Sequence, residues 1–199
     1  LNGCTDYSLV ISRALEYLLL EPREAVEYVK DLKIYETTGD CNIDECNKAL
    51  SKVNEAIYML TTSNISELQD EYERLISPSN ERAVCPPYES YYRGNSGVIG
   101  TDEIVSDIES IIRMAGLEFD SSGQGSPDNI QLELELANIL TGQLISLESI
   151  SLMEKLVSKH IAPTLPLFAE CIKRHARLDF YRIVAEVMEL YSDCIRKIL

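Results

Sequence analysis

Positive charge is scarce in this chain of 199 residues: 18 Lys and Arg stand against 33 Asp and Glu, for a net charge of −15. Phosphate backbones are gripped by clustered Lys and Arg, so this balance excludes nucleic acid as a partner. It also repels anionic membrane surfaces, and it either favours a basic partner or serves as plain solubility charge. Histidine is reduced to His160 and His175, and none of Cys4, Cys41, Cys46, Cys85, Cys171 and Cys194 forms a CxxC. Zinc sites want tight ligand pairs, so no metal and no cofactor is expected. The cysteines read as buried thiols in a reducing compartment. No apolar run approaches the ~20 residues of a membrane span. The opening Leu1-Asn2-Gly3-Cys4 lacks the basic-then-apolar pattern of a secretion signal, and the expectation is a soluble cytoplasmic protein. Missing too are GxSxG, HExxH, the P-loop and GxGxxG, which leaves a non-catalytic protein as the expectation.

What is present is helical periodicity. Leu9, Val10, Ala14, Tyr17, Leu18 and Leu20 give an amphipathic helix over 6–20. Pro22 opens a second helix at its first turn, and Gly39-Asp40 breaks it. A third runs from about Asp44 to Thr61 and a fourth from Ile65 to Ile76. Thr101 caps a fifth, with Asp102 and Glu103 at its positive end and Gly116 just past its last turn. Ser126 caps the next, with Pro127 at its first position and Leu140 near its end. Helices over 146–159 and 162–175 and a last one from about Arg177 complete the chain. There is no hairpin signal. The fold class expected is all-α, a bundle of about nine helices in two lobes. The lobes are 1–119 and 127–199, joined by a linker over 120–126 whose Asp120-Ser121-Ser122-Gly123-Gln124-Gly125 offers flexibility and no apolar anchor.

One stretch resists the helical pattern: Cys85-Pro86-Pro87-Tyr88-Glu89-Ser90-Tyr91-Tyr92, inside a connector from Ser77 to Gly100. Proline fixes its own φ and pushes the preceding residue toward extended backbone. Tyrosine brings a wide apolar face with a hydrogen-bonding tip, which suits peptide recognition. The stretch is read as part of a groove, against the alternative of a connector whose tyrosines tuck under neighbouring helices. A second irregularity is Glu133. At 100° per residue, Asp128, Gln131, Glu135 and Asn138 share a polar arc, while Glu133 falls on the apolar side, where a carboxylate is either paired or hydrogen-bonded, or sits at the boundary and reaches solvent. His160 and His175 read as structural groups or as partners of helix C-termini.

Together these stretches resemble a known family. Leu68-Gln69-Asp70-Glu71-Tyr72-Glu73-Arg74-Leu75-Ile76-Ser77-Pro78 followed by Pro86-Pro87-Tyr88-Glu89-Ser90 resembles the first signature of the TorD/DmsD/NarJ redox-enzyme maturation chaperones. Pro127-Asp128-Asn129-Ile130-Gln131-Leu132-Glu133-Leu134-Glu135 resembles the second, whose usual form is Pro-Asp-His before a Leu-Glu-Leu-Glu-like helix. Ala115-Gly116-Leu117, the segment His160 to Phe168, and Ala176 with Phe180-Tyr181 are similar to three further motifs in the same order. Two positions depart: Asn129 replaces the usual histidine, removing any titration near neutral pH, and Thr164 stands where tryptophan is common.

The resemblance implies an all-helical cytoplasmic chaperone that binds the twin-arginine leader, the apo catalytic subunit, or both, of a molybdopterin oxidoreductase. It would assist cofactor insertion before export or assembly, with exchange of lobes between two protomers through 120–126. The expected peptide site gathers Tyr72, Leu75 and Ile76 as an apolar wall. Pro86, Pro87, Tyr88, Glu89 and Ser90 form its loop, and Asp128, Asn129 and Glu133 its helix start, with Glu89 and Asp128 at the surface. Two alternatives stay open: an all-α enzyme using Asp128, Glu133 and Glu135 as acid/base groups, and a scaffold that holds the subunit without reading a leader.

Overall fold

The computed structural model describes residues 3–30, 32, 41–94, 101–120, 125–142 and 147–198. Their axis is the last helix, α10 (Asp179–Ile198). Phe180, Val184, Met188, Tyr191 and Ile195 step along it by three and four, and all are buried. Full burial of each such side chain contributes about 1.5–3 kcal/mol, so this stripe dominates the assembly. Against it pack α3 (Asp44–Thr62) and α9 (Ala162–His175), while α1 (Gly3–Leu18) touches α3, α10 and α7 (Ile130–Gly142). The shorter α2 (Pro22–Lys30) bridges α1 to α4 (Ile65–Leu75), and α8 (Leu147–Leu156) lies on α7 and α6 (Thr101–Met114). Residues from both sides of the expected linker join one apolar core that runs from Ile11 to Ile195. Of that linker, 121–124 lies outside the described residues, as does the Gly39-Asp40 break.

The all-α class is borne out: among the described residues there is no strand, only one isolated bridge. Several helix ends follow the sequence chemistry. Pro22 opens α2, and Gly116 adopts φ 73° past α6, where Leu117 N–H donates to Ile112 O at 3.0 Å. Three ends differ. The connector from Ser77 to Gly100 contains a short helix, α5 (Glu89–Arg93). α7 starts at Ile130 rather than Pro127, because Asn129 Oδ1 accepts Gln131 N–H at 2.9 Å and so caps the helix in place of Ser126. The expected break near Lys159 is a π-helical turn, Val157–Ile161, that runs straight into α9.

Two prolines explain how that turn is held. Pro166 has no N–H to give the carbonyl of Ala162, four residues back. That oxygen instead accepts from Ser192 Oγ and Arg196, both at 2.7 Å, which ties α9 to α10. Pro163 likewise leaves the carbonyl of Lys159 open, and Arg93 of α5 donates to it at 2.5 Å.

The cysteines correct the sequence reading. All six are paired, as Cys4–Cys41, Cys46–Cys194 and Cys85–Cys171, and none is a free thiol. The partners lie 37, 148 and 86 residues apart, so no local spacing announces them. The first two pairs share one cluster with Tyr7, Ile43 and Ile198, fastening the start of α1 and of α3 to the end of α10. Six paired cysteines do not fit a reducing compartment.

Candidate functional site

The two signature stretches meet. Tyr88 and Asn129 form an antiparallel bridge, with Ile130 N–H donating to Pro87 O and Glu89 N–H donating to Asp128 O, both at 2.9 Å. The two prolines hold the first strand of this bridge extended, and the turn Pro127-Asp128 presents the second. Asp128 then performs a cap across the chain. Tyr88, the residue before α5, makes no side-chain cap of its own, and Asp128 Oδ2 accepts Ser90 N–H at 3.0 Å in its place. Gly125 closes the end of the linker here with φ 77°, and a side chain on it would meet the Tyr88 hydroxyl at 3.3 Å.

Beneath the bridge lies a buried charge network. Glu89, fully buried, pairs with Arg93 one turn along α5 and with His160 of the π-helical turn, whose Nδ1 lies 2.8 Å from its Oε2. The other ring nitrogen of His160 lies 3.3 Å from Asp107 of α6, which also pairs with Lys155 of α8. Burial pushes the Asp107 carboxyl up, but the bonds from Lys155 and His160 outweigh it and hold the group below its ordinary value. The network opens on one side into a cleft of about 1110 Å³ lined by Glu89, Arg93, Asp107, Lys159, His160 and Pro163 among others.

Glu133 completes the group from α7. It is buried, and neither carboxylate oxygen has a donor. Burial first, then the neighbouring Glu89 carboxylate and Asp128, push its pKa well above the ordinary value. Burial without a partner for either oxygen favours the protonated, neutral form of Glu133. A raised folded pKa means that the folded state binds more protons than the unfolded chain above about pH 4.5. The stabilisation is whole below that value and is lost as pH rises toward the folded pKa. Glu133→Gln keeps a donor and removes the titration. We therefore expect variant and wild type to match in urea midpoint near pH 4, and the variant to be the more stable of the two at pH 8. A difference independent of pH would refute the raised titration of Glu133.

The expected site residues separate into two groups. Pro86, Pro87, Tyr88, Glu89, Ser90, Asp128, Asn129 and Glu133 converge on the bridge and the network below it. Tyr72, Leu75 and Ile76 are buried in the main core, where the Tyr72 carbonyl accepts from Ile76 and Ser77 N–H. Burial pushes the Tyr72 hydroxyl up to about 12. The surface positions expected for Glu89 and Asp128 are wrong: their exposures are 0% and 1%, because one anchors Arg93 and His160 and the other caps α5. Glu135 is exposed, on a different side of α7 from buried Glu133, so the acid/base set proposed with Asp128 is not gathered in one place. Sequence reasoning missed Arg93, Asp107, Lys155 and the role of His160. Only Glu89–Arg93 was legible, as an acid four residues before a base.

An all-helical chain with these signatures in contact defines a class. Residues 41–170, more than half of the chain, match the family model described as nitrate reductase delta subunit. The chain belongs to that family, a family of molybdoenzyme maturation chaperones, and its general role is that of a chaperone. No curated protein matches the chain. No helix among the described residues is long and apolar enough to cross a membrane.

Proposed function

We propose that the chain binds the N-terminal leader of a molybdopterin oxidoreductase's catalytic subunit where α5 meets α7, and holds that subunit while its cofactor is inserted. The observation that carries the reading is the bridge itself. Two stretches some forty residues apart, each carrying a family signature, are hydrogen-bonded into one rigid ledge beside an acidic cleft. A ledge already ordered by Pro86-Pro87 loses little entropy on binding. Tyr88, half-buried, and Tyr91, exposed, offer contact area for the apolar part of a leader. The net charge of −15 favours its arginine pair. The work belongs in the cytoplasm, before export, and the three disulfides then demand an oxidising interior of the kind found in hyperthermophiles.

Because Glu89 and Asp128 are buried, Tyr88→Ala is the cleaner probe. Titrating a twin-arginine leader peptide should give an affinity about tenfold lower in the variant, the loss of one aromatic contact. Binding should weaken with added salt. A peptide lacking the arginine pair should bind more weakly still. Equal affinity of Tyr88→Ala and wild type, with helicity intact, would move the site elsewhere. Binding of the mature subunit with no binding of the leader would favour the scaffold.

A further inference from the structure

We propose that the Cys85–Cys171 disulfide is a thiol-exchange site that clasps the candidate site, and that a dithiol reductant opens it by attack on Cys171. Cys85 directly precedes Pro86-Pro87, and its N–H donates to Leu75 O at 2.8 Å, so the disulfide pins the root of the Tyr88 ledge to α9. The next anchor along the chain is the bridge to Asn129. Between the disulfide and that bridge, only Pro86 and Pro87 intervene.

Access distinguishes this disulfide from the other two. Cys171 is partly exposed and lines a cavity of about 220 Å³ with Leu167, Glu170, Arg174 and His175. Cys46 and Cys194 are both 0% exposed, and Cys4 and Cys41 are buried beside them. An incoming thiolate meets the basic end of α9, Lys173-Arg174-His175, where Arg174 is paired with Glu170. Cys85 itself is 0% exposed and cannot be the sulfur attacked.

The exchange balances in two steps. One thiolate of the dithiol forms a bond to Cys171 Sγ, the Cys85–Cys171 bond breaks, and Cys85 leaves with the electron pair and takes a proton. The second thiol of the reductant then attacks the mixed disulfide and releases Cys171 as a thiol. The dithiol is oxidised to its own disulfide, and two cysteines are reduced. Buried Cys85 is held against Cys171, so a monothiol adduct is displaced again before a second monothiol arrives, and only a dithiol completes the opening. Once open, the ledge loses its one covalent tie to α9 and is held by noncovalent contacts, among them the Glu89–Asp128, Ile130–Pro87 and Ser90–Asp128 hydrogen bonds, and its hold on a bound leader falls.

The meaning for leader release rests on the leader-binding reading above, whereas the chemistry does not. The oxidised full-length chain is treated with increasing dithiothreitol, quenched with an alkylating agent and mapped by mass spectrometry. Cys85 and Cys171 should be alkylated together, about tenfold faster than the other four cysteines. 2-Mercaptoethanol at equal thiol concentration should leave the pair largely closed, and whatever adduct the quench traps should lie on Cys171 and none on Cys85. Hydrogen exchange should show lost protection at the amides of Cys85, Glu89 and Ile130 in the opened chain. First labelling at any other pair, an adduct on Cys85, or unchanged protection overturns the proposal. Cys85→Ser/Cys171→Ser provides the permanently open form; should it not fold, the wild-type time course decides. A leader peptide that binds neither form refutes the leader reading, and one that binds both forms equally refutes the clasp.

Discussion

Replacing Cys46 and Cys194 by serine should lower the unfolding free energy by about 4–5 kcal/mol, a large part of the total stability of a domain this size. The pair closes a loop of 148 residues, from the first turn of α3 to near the end of α10. A cross-link this long removes more freedom from the unfolded chain than a short one, but only logarithmically. Opening Cys85–Cys171 or Cys4–Cys41 should therefore cost within about 1 kcal/mol of the same amount. Urea denaturation of the three double variants checks this, and the slope is as informative as the midpoint. Removing a cross-link lets the unfolded chain expand and expose more surface, so the slope must rise. A large loss of stability at constant slope would place the damage in the native packing of the cluster with Tyr7, Ile43 and Ile198 instead.

Those disulfides also mark where sequence reading stops. The helices were legible because each carries its own signals: the stripe Tyr181, Val184, Met188, Tyr191, Ile195 for α10, or Thr101, Arg113 and Gly116 for α6. The contact between the Pro86–Ser90 loop and the Asp128 turn was expected from the family resemblance, and backbone hydrogen bonds provide it. Two kinds of information were not local. Cys46 and Cys194 look like ordinary apolar positions on two helices, and only the fold brings them together. Asp107, Lys155 and His160 belong to three different segments with no shared period, so their meeting depends on how α6, α8 and the π-helical turn pack. Burial misled in the same way. Asp128 and Glu89 look like solvated acids because their partners, the Ser90 amide, Arg93 and His160, are seen only in three dimensions. Asn129 was read as a lost histidine, whereas its side chain is the cap that starts α7.

Glu89→Ala should cost about 3–5 kcal/mol, because it strips the carboxylate from a buried pair and leaves the cation behind. The Arg93 side chain is only 17% exposed and that of His160 only 5%, so water replaces the lost carboxylate poorly. Part of the loss should return with Glu89→Gln, which fills the same volume and keeps an acceptor oxygen but not the charge. The loss should also be shared: in the His160→Ala background, removing Glu89 should cost less than in wild type by about 0.5–3 kcal/mol, the signature of direct coupling. Chemical denaturation of the two single variants and the double closes that cycle. Strict additivity would mean that His160 and Glu89 are packed side by side without stabilising each other. A cost for Glu89→Ala below about 1 kcal/mol, the range of an exposed ion pair, would mean that water reaches the network through the cleft and that the charges beneath the ledge do not hold α5 in place.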